Sequence, residues 1–399
     1  MRIGIEATAL TRDQRTGVDY YTQHLVAAMA RARPKSLFEL AYFWFLTKPD
    51  LETGLALPNI VERRSRWLPS KAYRVLYRLG IAPPLDLLTG ARGDFFLFPN
   101  FVRWPLALTR LSAVVVHDLS YIHSADTITR RLRRFLVRKV PKSIARSNLV
   151  FTPSETIRRE VLEEYGVDPR KVIVATPAAD RSVYFPRSEA QCNAVLEHYR
   201  LRWRQFILFV GTIEPRKNIK RLLDAYAGLP PDIRSSTPLV LVGGKGWKDD
   251  GIYRTYQDLK RRSFDVRMLG YVPHERLPYL YSSCSVFVFA SLYEGFGMPL
   301  LEAMACGAAA VSSSRSSLPE VAGNAAILVD PEDVLAMSAA IERLLRNEAL
   351  MASLREAAIR RAQAFSWEDS AAVVLKAIES LSSGSEERGI SRADSPKQP

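Results

Sequence analysis

Two glutamates, Glu294 and Glu302, lie eight positions apart around a turn that contains two glycines. The run from Val286 to Ala290 before them is β-branched and aromatic, which predicts a buried strand. Pro299 suits the first turn of a following helix, whose side-chain tilt would direct Glu302 toward its N-terminal end. Carboxylates accept hydrogen bonds from vicinal hydroxyls, and free N–H groups at a helix start favour negative charge. The pattern predicts either a site for a polyhydroxylated, anionic ligand or a capped surface helix with two solvated glutamates.

The elements that would position these residues alternate strand and helix along the chain. Strands are predicted at residues 3–6, 40–46, 94–98, 113–117, 149–152, 171–175, 206–210, 238–242, 266–269, 286–290, 309–312 and 326–329. Such alternation indicates an α/β fold with two doubly wound parallel sheets. Because ligands of these sheets bind at the carboxyl ends of strands, we expect the site in a cleft between two domains.

A polar, irregular stretch divides the two halves. We predict an N-terminal acceptor-side domain at residues 1–184, a linker at 185–204 and a donor domain at 205–364. A C-terminal helix at 365–381 is expected to pack back on the first domain, and residues 382–399 are expected to form a disordered tail.

The charge of the chain indicates an anionic partner. The 399 residues carry a net charge of +14. Eight basic residues and no acidic one lie between Thr127 and Ser154, and a second basic, aromatic stretch extends from Arg63 to Arg78. Basic helices that carry aromatic residues suit an anionic membrane surface, although solvated helix faces would have the same composition. The eight basic residues are Arg130, Arg131, Arg133, Arg134, Arg138, Lys139, Lys142 and Arg146.

The composition also indicates the cellular compartment of the protein. No apolar run is long enough to predict a transmembrane helix, and the chain enters a strand at once, without a cleavable leader. The three cysteines, Cys192, Cys284 and Cys306, are too few and too scattered for a disulfide framework or a metal site. These features predict a cytoplasmic protein that could also lie peripherally on the inner face of the membrane.

Several stretches resemble the retaining nucleotide-sugar glycosyltransferases of family four, which have the GT-B fold of two Rossmann-like domains facing a cleft. They are Phe209–Asn218, Leu269–Val272 and Glu294–Glu302, followed by Ser316–Gly323 and Leu328–Pro331. The resemblance covers roughly residues 1–381 and is tightest from 206 to 331.

The resemblance implies a role for each matching residue of the second half. Glu294 would contact the hydroxyls of the donor sugar and Glu302 those of the ribose, while Lys217 and Arg216 would bind the diphosphate. The family's usual arginine after the strand glycine is replaced here by Thr212, a departure within the diphosphate site. The other implied donor-binding residues are Gly211, Thr212, Gly243, Gly244, Tyr271, Gly295, Phe296, Gly297, Met298 and Pro299.

Two residues of the first half match the family as well. His117 would lie beside the reacting sugar on the acceptor side, although a single histidine after a strand is also explained by packing. Gly17 matches a loop whose backbone N–H groups can approach the diphosphate because no side chain intervenes. The alternative for Gly17 is an ordinary strand–helix turn.

The implied reaction moves a hexose to a surface polysaccharide or a lipid-linked oligosaccharide, and the motifs are most similar to mannosyltransferases that use GDP-mannose. The nucleoside diphosphate sugar is a co-substrate, so neither a cofactor nor a metal is expected. No Asp-x-Asp occurs between residues 80 and 130, where a metal-dependent transferase could carry one.

Three alternatives stay open from the sequence alone. A nucleotide-sugar epimerase of the same fold would use the donor without an acceptor, and a non-catalytic assembly protein would not need Glu294. The basic first half also raises nucleic-acid binding, but neither a helix-turn-helix pattern nor zinc-ligand spacing is present, so no nucleic-acid partner is predicted.

Overall fold

The structure, a computed structural model, describes residues 1–11, 17–43, 53–65, 68–247 and 249–393, with side chains described up to residue 382. A parallel sheet of seven strands forms the centre of the first half, in the spatial order β3-β2-β1-β4-β5-β6-β7. Its strands are β1 (Arg2–Glu6), β2 (Leu37–Phe43), β3 (Ile60–Ser65), β4 (Phe95–Phe98), β5 (Leu111–Val115), β6 (Leu149–Thr152) and β7 (Val172–Val174).

A second parallel sheet of six strands forms the centre of the second half, in the order β10-β9-β8-β11-β12-β13. Its strands are β8 (Ile207–Val210), β9 (Leu239–Val242), β10 (Val266–Gly270), β11 (Val286–Phe289), β12 (Ala310–Ser313) and β13 (Ala326–Val329). Central strands such as β4 and β11 are buried at every position, because helices cover both faces of each sheet. The predicted α/β fold of two doubly wound domains is therefore confirmed.

Helices flank both sheets. Those of the first half are α1 (Gly17–Ala32), α2 (Ser70–Leu79), α3 (Leu85–Thr89), α4 (Ser120–His123), α5 (Arg130–Arg146), α6 (Glu155–Tyr165) and α7 (Glu189–His198). Those of the second half are α8 (Ile219–Ala227), α9 (Pro231–Ser236), α10 (Asp250–Arg261), α11 (Leu277–Ser283), α12 (Met298–Ala305), α13 (Leu318–Ala322), α14 (Val334–Arg346), α15 (Glu348–Ala362) and α16 (Trp367–Ala393).

The chain passes between the domains twice. It leaves the first sheet after β7 and reaches the second through α7, which packs against α11. It then returns in α16, which lies along α1 of the first domain. Trp367 contacts the ring of Tyr21 with centroids 5.5 Å apart, and Arg33 forms an ion pair with Glu379 at 2.7 Å. Both domains are therefore held by α16 as well as by the linker.

The predicted elements differ from the structure in two places. Residues 63–65, the start of the basic stretch predicted at 63–78, belong to the edge strand β3, where the Arg63 side chain reaches solvent and still pairs with Glu39 at 3.3 Å. Helix α16 continues to Ala393, so residues 382–393 of the expected disordered tail are helical. No proline lies between Trp367 and Ala393 to end the helix earlier. Residues 44–46 of the second predicted strand and 394–399 of the tail lie outside the described residues.

Two further expectations concern the whole chain. The three cysteines are buried and carry free thiols, as predicted. Among the helices of the described residues, none combines the length and the apolar composition needed to span a bilayer.

Candidate functional site

A compact ion cluster joins the ends of two adjacent strands of the second sheet. The carboxylate of Glu294, which follows β11, accepts from Lys217 Nζ at 2.6 Å and from an Arg216 terminal nitrogen at 2.9 Å. Arg216 and Lys217 follow β8, and Arg216 also pairs with Glu214 at 2.9 Å. Two cations thus face two carboxylates in a cluster where Glu214, Lys217 and Glu294 are buried.

The backbone around the cluster is fixed by side chains that bond to it. Asn218 adopts a left-handed conformation, with φ of 59°, at the start of α8. Its amide group donates to the carbonyls of Ala290 and Pro331, which holds the Arg216–Lys217 turn against the end of β11. On the other side, the hydroxyls of Ser316 and Ser317 donate to the Glu294 carbonyl at 2.6 and 2.8 Å. The charged side chains are therefore oriented before any ligand binds.

The charge states in the cluster follow from these contacts. Burial would raise the pKa of Glu294, but the adjacent Arg216 and Lys217 outweigh it and hold that pKa at about 2. Burial likewise opposes the charge of Arg216, but the carboxylates of Glu294 and Glu214 raise its pKa above the ordinary value. Glu294 is therefore an ionised hydrogen-bond acceptor at neutral pH.

Two glycines after Glu294 allow backbone approaches that a side chain would block. A Cβ at Gly295 would lie 1.9 Å from the carbonyl oxygen of His117, which belongs to the first domain. Gly297 has φ of 112°, and a Cβ there would lie 2.5 Å from the Leu318 side chain. Helix α12 begins directly after Gly297, with Pro299 in its first turn as predicted. The Glu294 turn therefore forms one wall of the cleft in contact with the other domain.

His117 follows β5 on the facing wall. Its Nε2 lies 2.7 Å from the carbonyl oxygen of Pro99, and its ring packs edge-on against Tyr21 and Phe101. Burial lowers the pKa of His117, which favours the neutral ring. Because a carbonyl only accepts, the neutral ring donates from Nε2 and keeps a lone pair on Nδ1. His117 is thus both packed and able to accept one further hydrogen bond.

Hydrogen bonds between the domains surround this contact. The Tyr293 hydroxyl accepts from the Leu119 N–H at 2.9 Å and donates to Glu160 at 2.5 Å. The Ser154 hydroxyl donates to the Gly295 carbonyl at 2.8 Å. Glu320 accepts from the N–H groups of Glu155 and Thr156 at the start of α6. The structure therefore has the two domains in contact along one side of the cleft.

Glu302 is separate from the ion cluster in its hydrogen bonding. It lies in α12 and accepts from the buried Tyr281 hydroxyl of α11 at 3.2 Å. Burial raises the pKa of Glu302 to about 8, against the hydrogen bonds from Tyr281 and Tyr184, which favour the charged form. An ionised acceptor is the expectation from the sequence, whereas burial in the structure favours the protonated carboxyl at neutral pH. A protonated carboxyl can donate one hydrogen bond as well as accept.

Glycines mark the carboxyl ends of the neighbouring strands. The N–H of Gly211 donates to the last carbonyl of β9, and the N–H of Gly243 donates to the last carbonyl of β10, which aligns the three strand ends. Gly244 and the exposed Thr212 lie in the same two loops, beside this edge. Tyr271, 62% exposed, follows β10 and lines a cavity of about 380 Å³ between the domains with residues of α1.

The other implied donor residues have different surroundings. The Phe296 ring is buried against Phe365, so this side chain belongs to the core. Met298 is half-buried and packs against the same core. Gly17 is the exposed first residue of α1, with open space where a Cβ would lie, and Thr16 before it lies outside the described residues.

The structure thus brings Glu294, Arg216 and Lys217 together. His117 lies on the facing wall of the cleft, and Glu302 lies one helix turn after the start of α12. The residues that hold this arrangement in place are not among those predicted from the sequence. Asn218 stands next to Lys217 and Tyr293 next to Glu294, which is the signal that could have found them. Trp247, whose indole N–H donates to the Thr127 carbonyl of the first domain, carries no local signal of that contact.

Within the described ranges, no group of three or more histidine, cysteine, aspartate or glutamate side chains could hold a metal ion. The arrangement offers protein cations and an ionised carboxylate beside the strand ends. Such groups bind phosphates and sugar hydroxyls.

Known proteins share this architecture. A sucrose-phosphate synthase from Thermosynechococcus elongatus superposes with a TM-score of 0.71 at 20% identity, covering 99% of this chain and 100% of that one. WaaG, described as a glycosyltransferase involved in lipopolysaccharide biosynthesis, superposes with a TM-score of 0.67 at 15% identity, covering 93% of this chain and 97% of that one. Two parallel sheets whose carboxyl ends face one cleft define the class: the protein has the GT-B fold.

Sequence comparison gives the family. Residues 202–362 match the family described as "Glycosyl transferases group 1". The O-antigen chain mannosyltransferase B of Escherichia coli is 39% identical over 374 residues, covering 92% of this chain and 96% of that protein. The O-antigen chain mannosyltransferase RfbU of Salmonella typhimurium is 26% identical, covering 60% of this chain and 62% of that protein. The chain belongs to the group 1 glycosyltransferases and is a transferase enzyme.

Proposed function

We propose that this enzyme transfers mannose from GDP-mannose, with retention of configuration, to a surface polysaccharide or a lipid-linked oligosaccharide. The observation that carries the proposal is the Glu294–Lys217–Arg216 cluster, which combines an acceptor for sugar hydroxyls with two donors for a diphosphate. The 39% identity to an O-antigen chain mannosyltransferase supports the sugar and the kind of acceptor.

The reaction separates charge, and the site is suited to that separation. When the bond between the anomeric carbon and the phosphate oxygen breaks, negative charge develops on the diphosphate and positive charge on the sugar. Lys217, Arg216, the Gly17 loop and the start of α12 would stabilise the diphosphate. The acceptor oxygen bonds the anomeric carbon on the same face, and its proton passes to the departing phosphate oxygen. This account assigns no protein residue as the base.

Individual residues would then have distinct tasks. In this structure Glu294 is fully paired with Lys217 and Arg216, so donor binding would transfer both cations toward the diphosphate and leave Glu294 for the sugar hydroxyls. His117, with its free Nδ1, would accept from a sugar hydroxyl on the acceptor side. Glu302 would take the ribose, and its protonated carboxyl would serve as donor or acceptor there.

The membrane surface is the second part of the proposal. Helix α5 buries Leu136, Val140 and Ile144 and exposes its arginines, together with Leu132 and Val137, which are 43% and 45% exposed. Helix α2 lies beside it, because Lys139 of α5 donates to the Tyr77 carbonyl and covers the Tyr77 ring. Leu79 and Ile81, each 67% exposed, extend the apolar part. A basic face with exposed apolar side chains suits anionic lipid headgroups, so the cytoplasmic enzyme would bind peripherally to the inner face of the membrane.

A panel of nucleotide sugars in differential scanning fluorimetry tests the donor. GDP-mannose should raise the melting temperature most, because a ligand that binds only the native state stabilises it. Transfer to a glycan acceptor should follow by mass spectrometry. Conversion of the donor without transfer would favour the epimerase, and an unchanged melting temperature with every donor would favour the non-catalytic assembly protein.

Sedimentation with anionic vesicles tests the membrane surface. Replacement of Arg130, Arg134 and Arg138 with serine should weaken binding by about 3 kcal/mol, at roughly 1 kcal/mol for each basic residue. Arg133 is left unchanged because it donates to the Tyr121 carbonyl. The matched control removes the exposed Arg254 and Arg261 of α10 and Arg262 directly after it, in the other domain. Equal sedimentation of both variants would refute this part of the proposal.

A further inference from the structure

A cavity of about 460 Å³ opens in the first domain at the carboxyl ends of β1, β2 and β4, between α2 and α5. Its inner wall includes Glu6, which is buried, and the half-buried Asn100 and Trp104. Its exposed part includes Arg78 and Arg131, and the half-buried Phe135 lines it as well. The cavity thus has hydrogen-bonding groups at its base and cations at its opening. None of the donor-binding residues described above lines it.

The cavity adjoins the place where the reaction would occur. The Phe101 side chain lines it, and the same ring lies 5.5 Å from the His117 ring, centroid to centroid. A ligand in the cavity would therefore extend toward the acceptor side of the cleft. Trp104 is held edge-on by Tyr73 and Tyr77 of α2, at 5.2 and 4.5 Å between centroids, so its ring has a fixed orientation.

A wider groove of about 990 Å³ continues from the opening along the surface of α5. Arg78, Arg131 and Phe135 line both spaces, so they form the boundary between them. Seven of the groove's lining residues are arginine or lysine and none is acidic. Within the part of the chain that the structure describes, neither Arg78 nor Arg131 forms an ion pair; Arg78 lies 6.0 Å from the centre of the Phe135 ring.

We propose that the inner cavity binds the sugar of the acceptor and that Arg78 and Arg131 bind a diphosphate attached directly to that sugar. The inference rests on the proposed transferase function and assigns its acceptor. Glu6, whose Oε1 accepts from the Thr8 N–H at 3.1 Å, has further acceptor capacity for sugar hydroxyls, Asn100 can donate to them, and the Trp104 ring lines the cavity beside both. Arginine binds phosphate oxygens through paired N–H groups, and two arginines at one opening match a doubly charged group.

The position of the arginines limits the length of the acceptor. They line the same cavity as Phe101, whose ring packs against the His117 ring. A cavity of this size holds a small ligand, so only a short saccharide fits between the diphosphate and the reacting hydroxyl. The enzyme therefore acts early in the assembly of a glycan, and a sugar-phosphate transferase that loads the first sugar onto a phosphorylated carrier must precede it.

Equilibrium binding and transfer with paired acceptors test the proposal. Each of several monosaccharides (glucose, galactose, mannose and the N-acetylated hexosamines) is supplied as a short-chain alkyl diphosphate and as the alkyl glycoside of the same chain. Without membranes, the wild type should bind at least one diphosphate form at least tenfold more tightly than its glycoside, with the difference appearing in KM rather than kcat. The Arg78→Ala, Arg131→Ala double variant should bind both forms equally.

The control variant is Arg130→Ala, Arg134→Ala, because these arginines line only the outer groove. It should keep the preference for the diphosphate. An equal affinity of the wild type for both forms, or an unchanged preference in the Arg78→Ala, Arg131→Ala variant, would overturn the assignment. The shift in melting temperature with GDP-mannose should be the same in all variants; its absence in the wild type would contradict the proposed function instead of the acceptor site.

Discussion

Lys217 Nζ lies 2.6 Å from Glu294 Oε1, and both side chains are buried. The resemblance assigns them to different parts of the donor, the lysine to the diphosphate and the glutamate to the sugar. In the structure they satisfy each other, so the site holds its own counter-charges until a ligand arrives. Because the two residues pair with each other, single and double variants can separate their contribution to stability from their contribution to catalysis.

Replacement of either partner should destabilise the protein. Glu294→Gln leaves the buried Lys217 without its carboxylate, which typically costs about 3–5 kcal/mol, whereas Lys217→Met leaves Glu294 still paired with Arg216 and should cost less. The double variant Glu294→Gln, Lys217→Met should lose less stability than the two single variants lose together. The rate of transfer should be reduced at least roughly 100-fold in both single variants and in the double variant. Urea unfolding and transfer rates measure the two effects. Additive losses of stability in the double variant would show that the pair does not interact.

A methyl group at Gly295 should separate the domains. The Cβ of Gly295→Ala would lie 1.9 Å from the His117 carbonyl oxygen, and backbone on both sides leaves no flexible group to move. We expect at least a tenfold loss of transfer and a larger radius of gyration by small-angle X-ray scattering. Gly251→Ala in α10 is the control, because nothing lies within 4 Å of the added atom. Wild-type dimensions and activity in Gly295→Ala would contradict the contact.

The stability of the protein should depend on pH through Glu302. Its pKa is raised from 4.5 to about 8 on folding, so between these values the native state holds a proton that the unfolded chain has released. This contribution is therefore fully present below about pH 4.5 and is lost as the pH rises through 8. The difference in unfolding free energy between the wild type and Glu302→Gln should decrease from pH 5 to 8. A constant difference would contradict the raised pKa. Glu294, with its pKa near 2, loses its contribution only in acid, below this window.

Chelation of metal ions should leave transfer unchanged. The proposed stabilisation of the departing diphosphate uses Arg216 and Lys217, which carry their charge on the protein. Activity in excess EDTA should match activity in added Mg²⁺ or Mn²⁺, measured with the same donor and acceptor. A loss of transfer in EDTA that either cation restores would show that these side chains are insufficient.

Local patterns were enough to predict parts of this molecule. The start of α12 followed from Gly297 and Pro299, because both residues act on the backbone at their own positions. The ion pair between Lys217 and Glu294 did not follow, because it depends on β8 and β11 being neighbours in the sheet. The raised pKa of Glu302 was equally inaccessible, since it arises from burial against Tyr281, a residue of another helix. Contacts such as Tyr293 with Leu119 require the two domains to meet, which no segment of the sequence specifies.

The two passages of the chain between the domains also have a mechanical consequence. The linker and the return of the chain into α16 both cross the boundary, so two separate segments connect the domains. With two connections instead of one, the domains have fewer relative motions open to them. The double connection therefore favours the return of the Glu294 turn to its position beside the His117 backbone.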